Sequence, residues 1–341
     1  MSADEILRIK GLKKYFKTTR GIVKAVDDVS FSVMKNETFG LVGESGSGKS
    51  TVGHVIMGIY GPTAGSITFM GEDISMGVDR RPKELKKRLQ IVFQDPASSL
   101  NPRRTIGQIL ELPLRVHHLV ADADYAGKVL EIMDLIELPR EFAVRYPGEQ
   151  GGGEKQAVAI GRALATGPSF IVLDEPTSAL DVSIQAKIIN MLMRFQKDFK
   201  LSYLFITHNL SLMRNVAQRV AIMYLGKIVE TADTPEFFSN PLHPYTKMLL
   251  SAVPVITREE EALKPEKIVS TGEIAGALSV PPGCSFHPRC PFAMDRCSKV
   301  VPVLTEYKRA HHVACHLYPS AFTESDSRRE DSRAGSPTRS H

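Results

Sequence analysis

A chain of 341 residues, 43% apolar and 24% charged, has the length and composition of globular protein with a substantial core, which excludes a disordered or fibrous chain. It contains no run of about 18 consecutive apolar residues, and its opening MSADEILRIKGLKKY lacks the apolar stretch of a secretory leader, so a cytosolic chain with at most peripheral membrane contact is expected. The net charge of +5 is mild and suits an anionic lipid surface or a nucleic acid equally, so charge alone selects neither.

From about Ile6 to Gly71, short strands are predicted at Leu7–Ile9, Val29–Val33, Phe39–Val42 and Ser66–Phe69, around one helix that follows GESGSGKST. The stretch from about Thr105 to Thr166 is rich in helix formers and periodic apolar positions, as in GKVLEIMDLIELP, and reads as a helical insert. Apolar runs then return in SFIVLDEP, SYLFITHN and RVAIMYLG, separated by helical patterns. Strands alternating with helices predict a buried parallel sheet, an α/β architecture. Residues 1–230 are expected to form this domain. Beyond them the texture turns proline-rich and irregular, giving an accessory domain over 231–319. The tail 320–341 has too few apolar residues to offset the entropy of ordering and is expected to be disordered.

The segment Gly43, Glu44, Ser45, Gly46, Ser47, Gly48, Lys49, Ser50 fits G-x-x-x-x-G-K-[ST], a phosphate-binding loop, and it lies between an apolar strand and a helix beginning near Thr51. Glycines let backbone N–H groups turn toward phosphate oxygens, and the helix N-terminus adds partial positive charge. Lys49 is expected to neutralise terminal phosphates and Ser50 to ligate Mg2+. FIVLDEP carries the chain through a sheet and releases Asp174 and Glu175 at its carboxyl end, where open α/β sheets bind ligands. Asp174 is expected to hold Mg2+, directly or through water, and Glu175 to polarise an attacking water.

Cys284, Cys290, Cys297 and Cys315 are the only cysteines, spaced C-x5-C-x6-C-x17-C. These intervals are looser than the short pairs of structural zinc sites. Four thiolates suit an iron–sulfur cluster; zinc, with His287, His311, His312 or His316 as substitute ligands, and free buried thiols are the alternatives.

With these motifs in order, the chain resembles the ATP-binding cassette (ABC) ATPases, and most closely the oligopeptide/dipeptide/nickel importer branch. FQDPASSLNP carries Gln94, which matches the family's glutamine that touches Mg2+ and the attacking water. SALD ends in Asp181, similar to the family's loop aspartate, and FITHNL supplies His208, matching the histidine that reads the γ-phosphate. LKKYF corresponds to the segment whose aromatic ring stacks on adenine, with Phe16 favoured and Tyr15 the alternative. The phrase TGEIAGALSVPPGCSFHPRCP looks like the C-terminal extension of peptide-importer ATPases, and this resemblance favours a [4Fe–4S] cluster on the four cysteines.

The resemblance implies a P-loop fold of mixed β core, helical subdomain and small cysteine-containing C-terminal domain. It implies ATP and Mg2+ as ligands and ATP hydrolysis that powers an importer, peptides being the expected solute. A second cassette subunit, two transmembrane permease subunits and, indirectly, an extracellular or periplasmic solute-binding protein are the implied partners; nucleic acid is not. The implied place is the cytoplasmic face of the membrane. Competing readings are a soluble ABC ATPase of DNA repair or translation, and a regulatory subunit that hydrolyses weakly.

The chain departs from the family at Gln150, Gly151, Gly152, Gly153, where leucine-serine-glycine-glycine is usual; Ala157 replaces a basic residue and Asn209 an aspartate. In the family this signature covers the nucleotide held by the partner subunit. The missing serine hydroxyl therefore predicts an asymmetric heterodimer, slowed at the partner's site and normal at its own where the partner's signature is intact; the alternative is that the backbone amides suffice and the substitution is nearly neutral.

Overall fold

The computed structural model describes residues 4–252 and 276–318, and within them the chain divides into two compact units. The tail expected at 320–341 lies outside the described residues.

The first unit runs through Ile228 and includes residues 276–280. It opens with a hairpin of β1 (Glu5–Thr18) and β2 (Gly21–Met34), which extends through β4 (Ala64–Phe69) and β5 (Glu72–Asp73) into an antiparallel sheet of order β2-β1-β4-β5. The first two strands were expected as runs of three and five residues; each spans 14. Register shifts interrupt the pairing between Glu5 and Leu7, Ile9 and Leu12, and Lys14 and Tyr15, and such bulges break the alternation by which a strand is read.

The second sheet of this unit has the order β9-β3-β8-β7-β6, from β3 (Thr38–Val42), β6 (Leu89–Val92), β7 (Phe170–Asp174), β8 (Ser202–Thr207) and β9 (Arg219–Tyr224), all paired in parallel. Every residue of β3, β7 and β8 is buried, the condition under which a strand reads as a continuous apolar run. Gly40 is fixed by packing, because a Cβ there would lie 2.6 Å from Met213 Sδ.

Helices complete the unit: α1 (Lys49–Ile56), α2 (Lys83–Arg88), α3 (Pro96–Ser99), α4 (Ile106–Val116), α5 (Tyr125–Leu135), α6 (Gly152–Leu164), α7 (Val182–Phe199) and α8 (Leu210–Val216). The stretch expected to be helical carries α4, α5 and α6. Thr105 starts α4 by a reciprocal cap: its Oγ1 accepts the Gln108 N–H while Gln108 Oε1 accepts its own N–H.

The second unit begins at Val229 and holds most of β10 (Lys227–Asp233), α9 (Thr234–Ser239), α10 (Pro244–Ser251), β11 (Thr305–Lys308) and β12 (His311–Val313), with the strands ordered β11-β12-β10. Its core contains a fully buried carboxylate. Glu230 accepts the N–H groups of Leu242 and His243 and faces His311 Nε2, each at 2.8 Å, which satisfies a group that is otherwise costly to bury.

Candidate nucleotide site

The loop from Gly43 to Gly48 joins β3 to α1 and is shaped by its glycines. Gly46 and Gly48 have φ of 78° and 105°, in the left-handed region that other residues avoid. Gly43 and Gly48 also lie against backbone: a Cβ would come within 2.2 Å of the Met223 carbonyl and 2.0 Å of the Ala25 carbonyl. Gly48 caps α1 without a side-chain bond, so the first-turn N–H groups stay open to an anion.

Lys49, 4% exposed, folds back over the loop and donates to the carbonyls of Gly43 at 2.8 Å and Glu44 at 2.9 Å. Burial lowers its pKa, and the carboxylates of Glu175, Asp174 and Glu44 oppose that shift. Ser50 Oγ donates to Asp174 Oδ1 at 2.9 Å. Asp174 is buried at the end of β7, and desolvation raises its pKa against the Ser50 bond and the nearby His54 and Lys49 charges. The two oxygens form the hard donor set that Mg2+ takes, so the residues present fit that ion.

Glu175, the next residue, adopts φ of 46°, a sparsely populated conformation for a side-chain-bearing residue. Its carboxylate collects two distant groups: Gln94 Nε2 donates to Oε2 at 3.1 Å and His208 Nδ1 lies 3.2 Å from the same oxygen. The four positions expected around a γ-phosphate, at 49, 94, 175 and 208, thus come from four separate segments, and three of their side chains meet at one oxygen.

The aromatic candidates differ in their commitments. The Tyr15 hydroxyl donates to Asp27 Oδ1 at 2.5 Å; burial, reinforced by Asp27, raises its pKa to about 12. Phe16 packs edge-on against Tyr60 at 5.2 Å with Lys14 Nζ 5.0 Å from its ring centroid. One residue near the site escaped the sequence reading: His54, one turn beyond Ser50 on α1, places Nε2 3.8 Å from Asp174 Oδ2, and that nitrogen has no hydrogen-bond partner among the described residues. The i, i+4 spacing from Ser50 was its available signal.

Gly151 precedes α6 as its N-cap, and Gly152 and Gly153 form its first turn. Packing explains the latter two: a Cβ at 152 would lie 3.1 Å from Leu180 Cδ2, and one at 153 would lie 2.6 Å from Ile184 Cγ2. Gln150 is buried, and its Nε2 has no hydrogen-bond partner among the described residues. Asp181 caps α7 by accepting the Ile184 N–H at 3.0 Å and the Ser183 hydroxyl at 2.6 Å, bonds that hold its carboxyl below the usual range. Asp181 and the three glycines line one cleft of about 300 Å³.

In the second unit no disulfide joins the four cysteines, whose side chains lie near enough to influence one another's ionisation, and the Cys284 N–H donates to the Cys297 carbonyl at 2.7 Å. Burial is the first cause raising the pKa of Cys284 to about 11, that of Cys315 to about 12, and that of Cys290 as well. Among the described residues no group of three or more His, Cys, Asp or Glu side chains is arranged to hold a metal ion. The substitute ligands are occupied too: His287 and His316 face the backbone carbonyls of Cys284 and Val300, and His311 faces two carboxylates. Among the described residues, the expected iron–sulfur or zinc centre therefore finds no support.

Comparison with known proteins gives the family. The family model described as ABC transporter matches residues 26–178, and that described as Oligopeptide/dipeptide transporter, C-terminal region, matches residues 229–297. Oligopeptide transport ATP-binding protein AppF of Bacillus subtilis is 46% identical over 323 residues, 92% of this chain and 98% of its own length. Putative oligopeptide transport ATP-binding protein YkfD of the same organism is 43% identical over 94% of this chain and 97% of its own. Among solved structures, the dimeric ATP-binding cassette MJ0796 in a post-hydrolysis state bound to ADP and Pi superposes with a TM-score of 0.61 at 28% identity, covering 67% of this chain and 99% of that one. Loop, paired acids, converging glutamine and histidine, and relatives that span nearly the whole chain make this protein a member of the ABC transporter family, in its oligopeptide/dipeptide branch.

Proposed function

We propose that this chain is the ATP-hydrolysing subunit of an importer for oligopeptides or dipeptides, working with two permease subunits and a second cassette at the cytoplasmic face of the membrane. The peptide substrate rests on the names of the relatives and on the match of the C-terminal region. No helix among the described residues is long and apolar enough to cross a membrane, so the translocation path belongs to other chains. Nothing in these relatives favours a role in DNA repair or translation.

The observation that carries the reading is the meeting of Gln94 and His208 on Glu175, beside the Ser50–Asp174 pair. The triphosphate lies along the loop amides of Gly43 to Ser50 and the start of α1 at Thr51. A phosphate oxygen is a stronger acceptor than the carbonyls Lys49 now uses, so the ammonium turns to it. Ser50 and Asp174, with Gln94, would hold Mg2+, which would supply charge neutralisation on the phosphates. Glu175 orients the attacking water while Gln94 and His208 fix its carboxylate, and His208 contacts the γ-phosphate. Phe16 stacks on adenine, with Tyr15, whose hydroxyl is tied to Asp27, as the alternative.

The second cassette is proposed to be a different chain with an intact signature serine, so that the nucleotide on this loop fires normally while Gly151 to Gly153 and Asp181 cover the partner's. Exchange of Glu175→Gln in the reconstituted transporter tests the core of the reading. Nucleotide binding should persist while hydrolysis at this site falls by about a hundredfold or more; hydrolysis at the parent rate would remove Glu175 from the role.

A further inference from the structure

Ser50 and His54 stand one turn apart on α1, and they face the two oxygens of one carboxylate. Ser50 Oγ donates to Asp174 Oδ1 at 2.9 Å, whereas His54 Nε2 stops 3.8 Å from Asp174 Oδ2, just beyond hydrogen-bond reach. Packing builds this approach. A Cβ at Gly53 would come within 3.0 Å of Val172 Cγ1 on β7 and 3.1 Å of Ile206 Cδ1 on β8, so the glycine lets α1 lie close against the strand that ends in Asp174. The imidazole is flanked by Tyr60, with ring centroids 5.7 Å apart, and by Phe93 at 6.0 Å. Phe93 precedes Gln94, so the same ring packs against the segment that brings in the third proposed ion donor.

Nε2 is sealed from solvent and has no hydrogen-bond partner among the described residues. A buried polar atom left unpaired is destabilising, and the group this one faces is a buried carboxylate. The tautomer with its proton on Nε2 offers that carboxylate a donor. Hydrolysis as proposed above gives tasks to Ser50, Asp174, Gln94, Glu175 and His208 and leaves His54 without one.

We propose that His54 is a positioning residue for the Mg2+ site: it donates from Nε2 to Asp174 Oδ2 and so keeps Oδ1 turned to Ser50. The proposal rests on the reading that Ser50 and Asp174 hold the ion. A carboxylate turns readily about its last torsion, and one bond to Ser50 leaves that turn open. A second bond on the opposite oxygen closes it. Nε2 has to move only about 0.9 Å nearer to make that bond. Outer partners of this kind orient the carboxylates that bind metal ions, and losing one weakens metal binding by about tenfold or more.

The test is nucleotide binding by the purified full chain, with the non-hydrolysable imido analogue of ATP, in excess Mg2+ and in EDTA at one fixed pH. The ratio of the two Kd values reports what the protein gains from the ion. His54→Phe keeps an aromatic ring beside Tyr60 and Phe93 but has no N–H; it should lower the ratio about tenfold and leave the Kd in EDTA within about twofold of the parent. His54→Gln, which carries an N–H at similar reach, should recover most of the loss. The thermal midpoint of each variant is measured alongside, and His54→Met replaces the phenylalanine variant if that one does not fold. A merely structural role would weaken binding equally with and without Mg2+, and that result, or a glutamine variant no better than phenylalanine, overturns the proposal. Asp174→Asn in the same assay separates the two levels. A ratio that falls in Asp174→Asn but not in His54→Phe overturns the role of His54 alone; a ratio unchanged in Asp174→Asn overturns the ion site beneath it.

Discussion

Ser50 Oγ donates to Asp174 Oδ1 at 2.9 Å, joining the first turn of α1 to the end of β7 across a sequence separation of 124 residues. The bond holds the two oxygen donors of the proposed Mg2+ site together before any ion arrives. Asp174→Asn should keep this bond, because the amide oxygen accepts as well, while removing a charge that burial disfavours. The folded state should therefore be as stable as the parent or more so. Losing a charged contact to the ion corresponds to about a tenfold to hundredfold loss of ATPase rate, together with a higher Mg2+ concentration at half-maximal activity. A Mg2+ titration of the reconstituted transporter checks this, and an unchanged titration would take Asp174 out of the ion's coordination.

Gly151→Ser addresses the heterodimer. The new side chain fits if Glu154 yields, since the atom in its way is the free end of a flexible chain. Combined with Glu175→Gln, which silences this chain's own site, the remaining hydrolysis reports the partner's nucleotide. Restoring one hydroxyl bond to a phosphate should raise that rate by about tenfold to a hundredfold. An unchanged rate would mean that the backbone amides suffice and that the two sites are not made unequal by Gly151.

Arg81 is buried and spends its guanidinium on backbone: Nε donates to the Met76 carbonyl at 3.0 Å, and the terminal nitrogens to those of Ile56 at 2.6 Å and Ile74 at 2.7 Å. Burial lowers its pKa to about 10. The residue clamps the end of α1 to the segment after β5. Arg81→Ala strands these carbonyls and should cost about 3 kcal/mol in denaturant unfolding. Arg81→Lys should recover only part, because an ammonium cannot reproduce the planar fork. Parent-like stability of the alanine variant would show that the carbonyls find water instead.

The loop at 43–50 was legible because a phosphate cradle needs its glycines, lysine and serine consecutively, and β7 was legible because a strand buried on both faces is a continuous apolar run. Gln94 and His208 were identified through the resemblance, but their meeting on one oxygen of Glu175 is a tertiary fact that sequence spacing does not contain. The extent of β1 and β2 was hidden by bulges. For His54 the sequence offered only its i, i+4 spacing from Ser50, and that spacing gains meaning once the β7 carboxylate is brought against it. In the second unit, Glu230 and His311 are 81 residues apart, and nothing local announces that they pair.

The cysteine region yields the remaining prediction. Burial first, and the neighbouring thiols after it, raise the pKa of Cys284 to about 11 and of Cys315 to about 12. A thiol that holds its proton more tightly when folded than when unfolded stabilises the fold fully below the ordinary thiol range, and that stability is lost as pH rises toward the folded value. The second unit should therefore weaken between about pH 9 and pH 12. Because the thiolate is the nucleophile, iodoacetamide should label these two cysteines slowly at pH 8, with a rate rising about tenfold per pH unit and reaching that of an ordinary thiol once urea unfolds the chain. An iron-bound state would behave differently: the thiols would stay protected at all these pH values until a chelator was added, and the anaerobic protein would be brown. Protection of that kind would overturn the free-thiol arrangement, whereas labelling governed by pH alone matches side chains that are close together, protonated and unligated.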